Sequence, residues 1–340
     1  MPASKELSTG IVTSTGSGEH FPLTGRRAKT INSGMKAKAA PLRILIIGGS
    51  GFVSGTLARM AVALGHEVTV VTRGQRAVPS GVAVVTVDRN DRAEFARGIA
   101  SLPDWDLVVD AIGYTPDNTR QDVEVFRGRT RRLVFISTDF VYDPGSRRIP
   151  RTEHGTAYAT HGYGGLKREA EIVLQQTPVA HLPWTILRPS HIYGPGSLPG
   201  CLPMHGRDPQ LIGHILESRP LHLVEGGKFL QHPVFAPDLA ETILSAAGNT
   251  AAVGRVLNVA GPNVVGSHAY FRMLGKLLGR EVTIEEVPVG DFLAEHPEKA
   301  PFCSDRVYDL TALKASGLRQ PATSLESGLR QQLDFAGSTN

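Results

Sequence analysis

Cysteine is nearly missing: Cys201 and Cys303 are the only two, too few for a disulfide framework, and no cluster with zinc-ligand spacing accompanies them. Neither a stapled secreted scaffold nor a metal centre is expected. The chain has no run of eighteen or more apolar residues, and its N-terminus lacks a charged stretch followed by an apolar one. A membrane span and a secretory signal are therefore not supported, and a soluble, cytoplasmic protein is the expectation. No internal repeat is visible.

A net charge of +4 invites a nucleic-acid reading, but the excess is local. Residues 1–40 hold Lys5, Arg26, Arg27, Lys29, Lys36 and Lys38 against Glu6 and Glu19, and removing these eight leaves 30 basic and 30 acidic residues in the rest. The body is neutral, so nucleic acid is not the expected partner. The first 40 residues, rich in Ser, Thr and Gly and without hydrophobic periodicity, read as a disordered basic tail. An organelle transit segment is the alternative for that tail.

With 41% hydrophobic side chains among 340 residues, the rest can bury a full core and a smaller second lobe. From Arg43 short apolar runs alternate with helical stretches. The candidate strands are Arg43–Ile47, Glu67–Thr72, Val82–Val87, Asp106–Ala111, Arg132–Ser137, Trp184–Arg188 and Val256–Val259. This alternation predicts an α/β fold: a Rossmann-like, doubly wound parallel sheet covered on both faces. After Gly194-Pro195-Gly196 the pattern turns rich in Gly, Pro and His. Residues 41–195 and 231–262 are expected to form the dinucleotide-binding domain, and 196–230 with 263–335 a smaller C-terminal substrate-binding lobe. A crevice at the carboxyl edge of the sheet would take the substrate.

The first strand runs into Gly48-Gly-Ser50-Gly51-Phe52-Val53-Ser54-Gly55, where glycines allow a pyrophosphate close to the backbone and helix amides face it. The second strand ends in Thr72-Arg73-Gly74-Gln75-Arg76. With no acid for a ribose diol and two guanidinium groups for a 2′-phosphate, NADP(H) is preferred, with NAD(H) as the alternative. Asp88 and Arg89, after the third strand, would lie near the adenine. Downstream, Tyr163-Gly-Gly-Leu-Lys167 puts a phenol and an ammonium on one face of a helix. The lysine is expected to hold the phenol's pKa down, so that the phenol can exchange a proton with a substrate hydroxyl or carbonyl.

These motifs, together with Phe135-Ile-Ser-Thr138-Asp139-Phe140-Val-Tyr142, Arg188-Pro189-Ser-His191-Ile-Tyr193-Gly-Pro195 and Tyr308-Asp309-Leu, resemble the extended or atypical short-chain dehydrogenase/reductase superfamily. Its NAD-dependent epimerase/dehydratases act on sugar nucleotides. The resemblance runs from Arg43 nearly to Phe335. It implies Tyr163 as acid/base, Lys167 on the nicotinamide ribose, and Thr138 polarising the substrate oxygen. Ala111, Ile112, Gly113 and Pro189 join the cofactor set, and Asp139, Phe140, His191, Gln231 and His232 would face substrate. It also implies a homodimer.

Two departures matter. Ser54 stands where the family has its third glycine, and Phe140 stands where sugar-nucleotide 4,6-dehydratases carry a glutamate that abstracts a carbon-bound proton. Phe140 cannot serve as a base, so elimination loses ground to carbonyl reduction. The expected activity is NADP(H)-dependent hydride transfer at a secondary alcohol or ketone carbon of a sugar nucleotide or nucleoside-like substrate. The alternatives are an epimerase working through a transient keto intermediate, and a non-catalytic nucleotide- or RNA-binding member of the atypical branch.

Overall fold

The computed structural model describes residues 40–146 and 148–338. Residues 1–39, on which the basic-tail reading falls, lie outside them. The main-sheet strands are β1 (Arg43–Ile47), β2 (Glu67–Thr72), β3 (Ala83–Thr86), β4 (Leu107–Asp110), β5 (Leu133–Ile136), β6 (Trp184–Pro189) and an edge strand, Arg255–Val259. The helices include α1 (Phe52–Ala63), α2 (Arg92–Ala100), α3 (Pro116–Phe126), α4 (Gly162–Gln175), α5 (Leu211–Leu216), α6 (Ala236–Leu244) and α7 (Ser267–Leu277).

All seven strands run parallel, in the order edge strand, β6, β5, β4, β1, β2, β3. Successive side chains on a strand point to opposite faces, and a parallel sheet is covered on both, so its central strands must be apolar throughout. β1 reads Arg-Ile-Leu-Ile-Ile for that reason. Ile44 and Ile46 pack with Leu57, Ala58 and Ala61 of α1 and Leu239, Ala240 and Ile243 of α6. Leu45 and Ile47 face the other way, toward Phe95 and Ile99 of α2, Phe126 of α3, and Ala170 and Leu174 of α4.

The strand order reverses at β1, which has β2 on one side and β4 on the other. Register brings Ile47 beside Val71 and Asp110, so the turns after these strands open at one edge, where open α/β sheets bind ligands. Pro41 onward clusters as one compact unit. A further apolar cluster draws Tyr193, Leu211, Leu221, Phe235, Tyr270, Phe271 and Leu329 from the segments expected to form the smaller lobe and from their flanks. Among the described residues, no helix is long and apolar enough to cross a membrane.

Candidate active site

Gly48 and Gly49 carry φ of 120° and 100°, a region that L side chains rarely occupy. A Cβ on Gly49 would also meet Val70 at 2.6 Å. The chain can make this turn tightly only without side chains there. Ser54 fits the position of the expected third glycine because its Oγ accepts the Gly51 amide at 3.3 Å and is itself nearly buried. The first turn of α1 holds no acidic residue, so its amides meet no carboxylate of their own helix.

This turn is one wall of a cleft of about 730 Å³. Gly48, Ser50, Gly51, Phe52, Val53, Arg73, Arg76, Asp88, Arg89, Ala111, Ile112 and Pro189 line it along the carboxyl edge of the sheet. Thr138, Asp139, Phe140, Tyr163, Lys167 and His191 line it at the other end. Gly113 is not in the lining, but its carbonyl accepts Lys167 Nζ at 2.7 Å. Arg73 and Arg76 are exposed. Arg89 is not free for a ligand in the same way: it is buried, with both terminal nitrogens on Asp110 and Asp122. Burial pushes Asp110 up, yet Arg89, with help from Lys167, holds its carboxyl below the ordinary range, while burial and its acidic neighbour push Asp122 well above it.

Lys167 is buried, its Nζ bonded to the carbonyls of Gly113 and Ile136 at 2.7 Å each. Burial brings its pKa down to about 8. Tyr163, one turn earlier, is 48% exposed. The expected depression of the phenol does not occur in this geometry. Burial and the neighbouring Tyr114 raise the Tyr163 pKa, Thr138 draws it back, and Asp139 raises it again. The ammonium is held by the two carbonyls, and that arrangement is invisible in an i, i+4 spacing. Helix α4 approaches the Thr138 turn so closely that a Cβ on Gly164 would stand 2.0 Å from the Phe140 carbonyl oxygen. Ser137, next to Thr138, donates to Glu171 at 2.6 Å inside the core, as a strand-end serine would.

The substrate-facing expectations divide. Phe140 and His191 border the cleft. The Asp139 carboxylate does not stand free for substrate, because Oδ2 accepts from Arg306 Nε at 3.0 Å, from Arg306 Nη2, and from the Tyr308 hydroxyl at 2.6 Å. Gln231 and His232 are not in the cleft lining. Gln231 is buried beside Val265 in a two-residue strand pairing. His232 bonds the Gly261 carbonyl at 2.8 Å, accepts the Tyr308 amide at 3.3 Å, and stacks on the Tyr308 ring. Tyr114, Arg207 and Arg306 line the cleft although sequence reasoning gives them no role. Arg306 stands two residues before the quoted Tyr308-Asp309-Leu, but nothing local shows that it returns to Asp139. Among the described residues, no group of His, Cys, Asp and Glu is placed to hold a metal ion.

A family model described as "NAD dependent epimerase/dehydratase family" matches residues 44–260. The chloroplast stem-loop binding protein of 41 kDa b of Arabidopsis thaliana is 26% identical over 66% of this chain, which spans 60% of that relative's length. UDP-N-acetyl-alpha-D-glucosaminuronate decarboxylase of Bacillus cytotoxicus is 24% identical, covering 86% of this chain and 97% of that protein. The crystal structure of a UDP-glucuronic acid 4-epimerase from Bacillus cereus in complex with NAD superimposes with a TM-score of 0.66 at 21% identity, over 88% of this chain and 99% of that one.

Proposed function

Because the chain belongs to the NAD-dependent epimerase/dehydratase family, we propose that it moves a hydride between a nicotinamide dinucleotide and a secondary alcohol or ketone carbon of a sugar-nucleotide-like substrate. One observation carries this reading: Thr138, Tyr163 and Lys167 meet in the same cleft as the glycine turn. The dinucleotide would lie along the strand ends with its pyrophosphate on the turn before α1, and supplies the hydride acceptor or donor. Lys167 would hold the nicotinamide ribose. Tyr163 would give or take the hydroxyl proton, and its raised pKa keeps it protonated at neutral pH, the form that reduces a ketone. Thr138 would share in stabilising the oxygen on which charge develops.

Phe140 leaves no general base where an elimination needs one, which favours reduction or epimerisation over dehydration. Reduction consumes cofactor steadily, whereas epimerisation turns over with no net cofactor change. Assay of a keto substrate with reduced cofactor separates the two. Replacing Tyr163 by Phe is expected to lower kcat by about 10²- to 10⁴-fold with cofactor affinity kept. Unchanged turnover in that variant ends the acid/base assignment.

The smaller lobe would select the substrate, and a homodimer would form with α4 as one of its interface helices. The Arabidopsis relative is named for stem-loop binding, and a second reading is accordingly a nucleotide- or RNA-binding protein without catalysis. Salt-sensitive RNA binding lost on deleting residues 1–40, with no turnover on any keto sugar, would support it.

A further inference from the structure

Resting on that reading and deepening it, we infer that Glu171, behind the cleft wall, is a positioning residue that sets where Tyr163 stands relative to Thr138. The proposed chemistry gives this carboxylate no part. Tyr163, Lys167 and Glu171 follow at intervals of four on α4 and so share a face of the helix. Glu171 nevertheless has no exposed surface and does not line the cleft. Its Oε1 accepts from Ser137 Oγ at 2.6 Å and from Arg188 Nε at 2.9 Å. Its Oε2 accepts from Arg188 Nη2 at 2.6 Å and from Arg168 Nη1 at 3.0 Å. Burial pushes the carboxyl up, but Arg188 first, and then the bonds from Ser137 and Arg168, bring it below the ordinary range, so it is ionised.

A buried ion pair adds little stability over apolar packing of the same volume. What it adds here is direction. Arg188 belongs to β6 and is itself held from behind: its Nη1 donates to the Tyr142 hydroxyl at 3.1 Å and to the Glu153 carbonyl at 3.3 Å. Its guanidinium also lies 5.1 Å from the centre of the Tyr142 ring and 5.2 Å from that of Tyr158. The sheet thus fixes the place of the carboxylate, and the carboxylate fixes α4.

The bond from Ser137 carries that constraint to the reacting groups. Ser137 directly follows β5 and precedes Thr138. On the same face of contact, Lys167 bonds the Ile136 carbonyl, and Gly164 is seated against the Phe140 carbonyl. Successive turns of α4 are therefore pinned to residues 136–140, with Thr138 among them, and Thr138 in turn interacts with the Tyr163 phenol. Without the Ser137 link the strand end is free to shift along the helix. A misplacement of about 1 Å in such a constellation costs on the order of 10²-fold in rate.

Ultraviolet titration of the full-length protein tests this, each variant being compared with its own Tyr163→Phe counterpart so that the difference isolates the Tyr163 phenol. Tyr114, Thr138 and Asp139 face that phenol, and Lys167, with its pKa of about 8, has lost its charge before the phenol titrates. Ser137→Ala removes the link to the strand and leaves Glu171 paired with Arg188. It should move the phenol's midpoint up by about 0.5 to 1 in pH as Thr138 draws away. Glu171→Gln combined with Arg188→Met, which strands no buried charge, should do the same. Arg168→Gln removes a bond to the same carboxylate from within the helix and should leave the midpoint in place. In reduction of a keto sugar, the first two variants should lose about tenfold in kcat with cofactor affinity kept, and the loss should vanish in the Tyr163→Phe background. A phenol that titrates as in wild type in both strand-linked variants, or one that shifts equally in Arg168→Gln, overturns the inference. If the wild type reduces no keto sugar, the hydride-transfer reading fails, while a midpoint shifted in the first two variants alone still establishes the role of Glu171.

Discussion

That Tyr163, Thr138 and Lys167 line one cleft was legible in the sequence because each lies within a few residues of a strand end or a helix start, and short-range pattern fixes such places. Their electrostatics were not. The spacing of Tyr163 and Lys167 suggests a phenol made acidic by an ammonium, but two carbonyls hold that ammonium and burial governs both groups. The lysine's pKa of about 8, against its ordinary 10.5, makes a stability prediction. Between those values the unfolded chain binds more protons than the folded one, so this group's contribution rises with pH. Below about pH 8 its burial opposes folding in full, and the relief by about pH 10.5 is on the order of 3 kcal/mol. Denaturation of wild type and Lys167→Met across that window should show their difference growing in favour of wild type; a flat difference rejects the buried ammonium. Arg73 and Arg76 are exposed with no acid in the loop between them, the ground on which the sequence leads one to expect NADP(H), whereas the Bacillus cereus epimerase was solved with NAD. Arg73→Ala should weaken NADPH about tenfold and leave NADH unchanged. Equal loss for both cofactors removes the case for a 2′-phosphate.

The strands and helices around the cleft followed from alternating apolar runs, and the boundaries moved only by a residue or two. β3, read as Val82–Val87, spans Ala83–Thr86. Loops that return over long separations carry no period. Arg306 meets Asp139 across 167 residues, and no local signal could have joined them. The fit of α4 against the Thr138 turn is likewise a tertiary fact. In an open helix, Gly→Ala stabilises by about 1 kcal/mol. At Gly164 the added methyl would collide with the Phe140 carbonyl, so the sign should reverse. Gly164→Ala is expected to lower Tm, with a cost of about 1–3 kcal/mol, and to reduce kcat by displacing Tyr163 from Thr138. A higher Tm in that variant would show that α4 is not seated as described.

Across the described residues, a sheet buried on both faces makes a rigid floor, and the cleft lies along its carboxyl edge, where Leu202, Gly206, Arg207 and Arg306 also line it. A dinucleotide binding only the folded form should stabilise it by about 2.7 kcal/mol at one hundred times its Kd. That is a rise of several degrees in Tm, read by scanning calorimetry with and without cofactor. No shift with either NAD(H) or NADP(H) would argue against a cofactor in this cleft. The link from Asp139 to Arg306 and Tyr308 also bears on how the protein is made. During synthesis, phenol, lysine and threonine leave the ribosome well before residues 306–308 emerge. Until those last residues arrive, the loop carrying Thr138 has no counterion and no anchor on its far side. A chain clipped before residue 306 would keep Thr138, Tyr163 and Lys167 and yet leave the Asp139 carboxylate without its guanidinium and phenol partners.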